Sequence, residues 1–146
     1  MAPISDVQGT YDATHAIGYA GMIAEGQPAR DVASKVVENA AVAFGLAVGR
    51  GTADNSVRLG GTGYVGIAVA DKTRDADQYD VGEMAAVIRK GTVWVTASVA
   101  VVPADTVYFV PATGVITNVS TSNVAIPNAR FETTAAGGEL VRLYLG

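Results

Sequence analysis

The sequence predicts an all-β fold, a compact antiparallel β-sandwich or barrel, and three observations predict it. Apolar residues alternate with polar or small ones in short runs, spaced about 8–12 residues apart with turn signals between them. Glycine occurs 17 times, about 12 % against a usual 7 %, and falls between the runs as punctuation. The one helical stripe, Val32, Val36, Ala40 and Ala43, runs straight into Gly45 and Gly49, which weaken a helix.

The elements follow in order. Residues 1–14 hold Pro3, Gly9 and few apolar anchors, so an extended N-terminal arm is expected, disordered alone or ordered by a partner. His15 to Ala24 alternates weakly around Gly18 and Gly21 and predicts a strand with a glycine bulge. Gly26-Gln27-Pro28 breaks it. Between Ala29 and Asn39 a loop or short turn is preferred, with a helix over 29–39 left open by the stripe. Val42, Phe44, Leu46 and Val48 alternate, giving a strand from Ala40 to Arg50. Gly60-Gly61-Thr62-Gly63 turns into a strand over Tyr64 to Ala70, and residues 71–80 form a polar loop. Met84 to Arg89 is a strand, which Lys90-Gly91 turns back into Val93 to Val102. Pro103-Ala104-Asp105 is a tight turn with proline at its second position. Strands follow over Val107 to Val110, Val115 to Asn118, Ala129 to Thr133 and Leu140 to Leu145. In the last, Val141, Leu143 and Leu145 oppose Leu140, Arg142 and Tyr144. The arm (1–14) and a single β domain (15–146) account for the chain.

Composition narrows the chemistry. The 146 residues make one domain with room for a real core. There is no cysteine and one histidine, so disulfides, thiolate chemistry and His-rich metal centres within one subunit are excluded. The formal net charge is −4, with lysines only at Lys35, Lys72 and Lys90, so neither nucleic acid nor an anionic membrane is an expected partner. The start, Met1-Ala2-Pro3-Ile4-Ser5-Asp6, carries no basic n-region, and synthesis without export is expected. A mean hydropathy of +0.28 with 16 % charged residues is apolar for a monomer and predicts surface covered by partners, including copies of itself.

His15, three residues from Asp12, is the one side chain titrating near neutrality, but no nucleophile signature accompanies it. Asp75, Asp77, Asp80 and Glu83 cluster, yet Tyr79 stands where a calcium loop needs its third ligand; a solvated loop is expected, with no metal. Gly60-Gly61-Thr62-Gly63 lacks the following Lys-Ser/Thr of a phosphate loop. No cofactor and no enzymatic activity are expected.

Five stretches together carry a resemblance. They are the Ile17-Gly18-Tyr19-Ala20-Gly21-Met22-Ile23 run, Ala43 to Thr52, Gly66 to Ala70 with Tyr79 to Val87, Gly91-Thr92-Val93-Trp94-Val95 with Asp105 to Tyr108, and Ile126 to Thr133. In this order, over nearly the whole chain, they resemble the structural cement (capsid decoration) proteins of tailed bacteriophages. One departure is Val81-Gly82-Glu83-Met84, where glutamate replaces the family's aspartate and keeps the charge. The resemblance implies a jelly-roll-like β domain on the outer surface of a phage capsid. It would bridge neighbouring major capsid proteins as a homodimer or homotrimer and stabilise the expanded head, after synthesis in the host cytoplasm. Tyr11, Asp12 and His15 of the arm, the aromatics Trp94 and Tyr108, and Arg130, which could pair with Glu132 across an interface, are the candidate contacts. The competing reading is a receptor- or carbohydrate-binding β module of a phage tail or cell surface. A small hydrolase with a carboxylate pair ranks below both.

Overall fold

The computed structural model describes residues 18–24 and 30–146. Among them it holds twelve strands and no helix. β1 (Asp31–Glu38), β3 (Ala47–Arg50), β4 (Ser56–Leu59), β5 (Tyr64–Ala68) and β7 (Met84–Thr96) form one ring. β1 pairs with β4 on one side and β7 on the other, and β3 and β5 complete the circuit in the order β1-β4-β3-β5-β7. All pairs are antiparallel except β1 with β4, which is parallel. The all-β expectation holds, and the closed ring is the barrel alternative within it. Closure removes the free edges that a five-stranded open sheet would present.

β7 is longer than the ring needs. Its second half leaves the barrel and pairs with β12 (Leu140–Leu145), which pairs in turn with β11 (Ala129–Phe131). On its other side Ile23 bridges Val93. A two-stranded ribbon joins β2 (Val42–Ala43) to β6 (Gln78–Tyr79), and a three-stranded sheet orders β10 (Val124–Ala125), β8 (Tyr108–Phe109) and β9 (Ile116–Thr117).

Two cores result. Inside the barrel, Val37, Val48, Val57, Ala68, Ala85 and Val87 pack together with Val42, Phe44 and Tyr79. Phe44 and Tyr79 meet edge to face at 5.2 Å, and the Tyr79 hydroxyl donates to the Val69 carbonyl at 2.6 Å. Outside it, Ile67, Ile88, Val93, Val95, Phe109, Ile116, Phe131, Val141, Leu143 and Leu145 fill the space between the barrel wall and the remaining sheets. Each such side chain, fully buried, stabilises by roughly 1.5–3 kcal/mol.

Four expectations are corrected. Residues 31–38 are strand β1 and not a loop. Their β-branched Val32, Val36 and Val37 suit a strand that finds partners on both sides. The strand expected over Ala40 to Arg50 is two, β2 and β3, parted at Gly45. That glycine has φ +83°, and a Cβ there would lie 3.0 Å from both the Ala20 side chain and the Gly21 nitrogen. Lys90-Gly91 is no turn: β7 runs through it for 13 residues and ends at Thr96, short of Val102. Strands β4, β6 and β10 are too short or too polar to stand out in the sequence, and β6 lies within the expected polar loop. Of the strand expected from His15, only residues 18–24 are described, with a turn at Ala20-Gly21 and the Ile23 bridge. β12 has the expected bounds and alternation.

Candidate functional site

The arm residues Tyr11, Asp12 and His15 lie outside the described residues. The stretch that follows them in sequence is tied to β7. Trp94 N donates to Met22 O at 2.8 Å, Gly21 N donates to Trp94 O at 2.7 Å, and Ala24 N donates to Thr92 O at 2.8 Å. The Trp94 ring is 8 % exposed. Gly18 sits against it, since a Cβ at Gly18 would come within 3.2 Å of Cδ1. Trp94 therefore packs under its own chain.

Register places Trp94 and Arg130 on one sheet face. Trp94 faces Arg142 across the β7–β12 pair, and Arg130 faces Tyr144 across β11–β12. These partners alternate with the core residues Val141, Leu143 and Leu145 and so lie on the opposite face. Arg130 is exposed, with its guanidinium 4.3 Å from the Tyr144 ring centroid. Its Nε donates to Glu132 Oε1 at 3.0 Å, so Arg130 and Glu132 pair within the chain. Tyr108 stands apart, half-buried on β8 opposite Thr117 and Ala125.

Two surface features escape a reading by motif. One is apolar: Val32, Val81 and Met84 are exposed, Met84 by 52 % and Val81 by 57 %. Val36 opposite Met84 and Val32 opposite Ile88 put Val32 and Met84 on the β1–β7 pair, and Val81 lies in the turn before it. The other is a cationic mouth. Lys35, Arg50 and Arg89 line a cavity of about 250 Å³ together with Val65 and residues 51–56. Each follows or precedes an inward barrel residue by two positions: Lys35 beside Val37, Arg50 beside Val48, Arg89 beside Val87. Period-two alternation thus points all three toward the barrel axis. Val42 and Phe44 precede β3 and pack at the end where it begins, while Arg50 marks the end where it leaves.

The 51–56 loop at this mouth is built. Glu38 accepts from Thr52 N at 2.5 Å and from Thr52 Oγ1 at 3.1 Å, and Ser56 Oγ donates to Ala53 O at 2.6 Å. The Thr52 amide holds the Glu38 carboxyl below its ordinary value. On a separate loop, Arg74 pairs with Glu83, and the guanidinium draws the Glu83 carboxyl down likewise. Among the described residues no group of three His, Asp or Glu side chains is placed to hold a metal.

The described residues form a closed β-barrel with sheet extensions, on which Arg130 is exposed, Tyr108 half-buried and Trp94 buried. A family profile described as "Structural cement protein (E217 gp24/Pam3 gp6)" matches residues 7–146, and the chain belongs to this family of phage structural cement proteins. No curated protein matches it in sequence. Among solved structures it is similar to a chain from "The capsid of Myoviridae Phage XM1", at TM-score 0.74 and 19 % identity, covering 97 % of this chain and 98 % of that one. It is also similar to "head fiber gp8.5 N base in bacteriophage phi29", at TM-score 0.50 and 14 % identity, covering 80 % and 94 % respectively. At these identities the likeness is one of fold.

Proposed function

We propose that this protein decorates the outer surface of an assembled phage head, where it bridges neighbouring major capsid proteins and stabilises the expanded shell. The family match over residues 7–146 is the observation that carries this reading. The fold shared with a chain of a phage capsid over nearly both full lengths supports it. The work is mechanical and not catalytic. Modest contacts repeated by symmetry act together, so that a weak single contact becomes effectively permanent.

The contacts follow from the surfaces. Residues 1–14 serve as an arm, and its Tyr11 and Asp12, with His15 directly after it, contribute contacts when the arm adds to a neighbour. Trp94 acts indirectly by anchoring residues 18–24, from which the chain leads back to the arm. Tyr108 and Arg130 contact the shell or a second copy in a homodimer or homotrimer.

Cosedimentation of the purified protein with expanded heads lacking it tests the function. Saturable binding at a fixed ratio to the major capsid protein is expected, and that ratio separates twofold from threefold sites. Absence of binding to both immature and expanded heads would overturn the proposal and leave a receptor- or carbohydrate-binding module as the better reading.

A further inference from the structure

The barrel's mouth is cationic where its interior is apolar. In a barrel of this size the inward positions are expected to be apolar, and Val37, Val48, Val57 and Val87 conform. At the end away from Phe44 the pattern changes to Lys35, Arg50 and Arg89. Arg89 is bound to Asp31 at 2.9 Å. Lys35 and Arg50 have no carboxylate within ion-pair distance among the described residues. Asp54 lies on the lining loop, and the Glu38 carboxylate beside it is taken up by Thr52. A chain with ten Lys and Arg residues and a net charge of −4 gathers three of its cations around one cavity.

We propose that this mouth receives a carboxylate-bearing segment of the capsid shell, an Asp or Glu side chain projecting between Lys35 and Arg50. The inference rests on the capsid-binding reading above and names the chemistry of one contact. Size and charge select the occupant. A cavity of about 250 Å³ accepts one or two side chains and not a nucleic-acid backbone, and the chain's overall negative charge repels a polyanion while Lys35 and Arg50, the two lining cations outside any ion pair among the described residues, favour a single acid. A guanidinium matches a carboxylate with two parallel hydrogen bonds. The loop that frames the cavity is already held by the Glu38–Thr52 and Ser56–Ala53 bonds, so little ordering is left for the moment of binding.

The test measures binding to expanded heads by the wild-type protein, Lys35→Glu/Arg50→Glu, Lys35→Gln/Arg50→Gln, and Lys72→Glu as a charge control outside the mouth. Circular dichroism and thermal melting check each fold, and the neutral pair carries the reading if the reversed pair does not fold. The reversed pair is expected to bind about tenfold or more weakly and the neutral pair to fall between. Both should show a shallower dependence on salt, and Lys72→Glu should bind as wild type. Wild-type binding with folded mouth variants of equal affinity overturns the mouth inference alone. Failure of the wild type to bind overturns the capsid reading and this inference together. Loss of self-association in solution with head binding per subunit retained also overturns it, because a second copy then fills the mouth.

Discussion

Ile88 and Val93 lie on the same side of β7 although five residues separate them. Both belong to the outer core, while Ala85 and Val87 face the barrel interior. An odd separation in a regular strand puts side chains on opposite faces, so the strand shifts phase once between them. The shift falls where the register with β1 skips, from Lys90 opposite Asp31 to Ile88 opposite Val32, and where Gly91 adopts φ +121°. One strand can then line two cores.

Gly91→Ala is expected to destabilise by about 1–3 kcal/mol, because a side chain at this φ is strained and its Cβ would press on Ile88 Cδ1 at 3.2 Å and Arg30 Cγ at 3.4 Å. Urea denaturation of the two proteins measures it. Equal midpoints would mean that the phase shift does not depend on glycine.

The two tyrosines with buried hydroxyls, Tyr79 and Tyr64, should respond in opposite ways. Tyr79→Phe removes the donor to the Val69 carbonyl and should cost about 1–2 kcal/mol. Tyr64→Phe should be neutral or stabilising, since the Tyr64 hydroxyl is buried with no hydrogen-bond partner among the described residues. Burial also pushes the Tyr64 phenol well above its ordinary range. Thermal melts of the pair decide it, and a larger loss for Tyr64→Phe would contradict the assigned geometry.

Acid should loosen the fold. The Arg74 guanidinium, the Thr52 amide and the Asn118 side-chain amide hold Glu83, Glu38 and Asp105 below their ordinary values. A folded-state pKa below the unfolded one gives stability that is complete above the unfolded value, about 4, and is lost as pH falls through the folded value. Melting temperature should therefore hold between roughly pH 7 and 5 and decline below about pH 4. Arg74→Gln should lessen the decline, and an unchanged pH profile would remove Glu83 from the account.

Deleting residues 1–14 should leave the melting transition in place and weaken binding to heads by about tenfold or more. Cosedimentation with full-length protein as competitor measures it. Undiminished binding would remove Tyr11 and Asp12 from the interface.

How much of this was legible depended on where each element's partners lie. β12 could be read with both its bounds because Val141, Leu143 and Leu145 alternate cleanly over six residues. β1 could not, since its backbone is satisfied by β4 and by β7, and the Arg89–Asp31 contact spans 58 residues. Lys90-Gly91 reads as a turn by local chemistry, and only β12 on one side and β1 on the other make it continue as strand. Arg130 was singled out from its motif, but its intrachain partners Glu132 and Tyr144 came from strand register. Lys35, Arg50 and Arg89 do not stand out as a group, because nothing local in the sequence says that their strands close on one axis.

The ring's closure also sets an order of events during synthesis. β1 emerges from the ribosome early, finds β4 soon after, and then waits for β7 to complete its other side. Contacts so far apart in sequence form slowly, after the loop between them has been ordered. Until β7 is made, β1 lacks the partner for that side of the ring. The arrival of Met84 to Lys90 is the step that seals it, and a ribosome stalled before that point would hold a nascent chain prone to pairing with its neighbours.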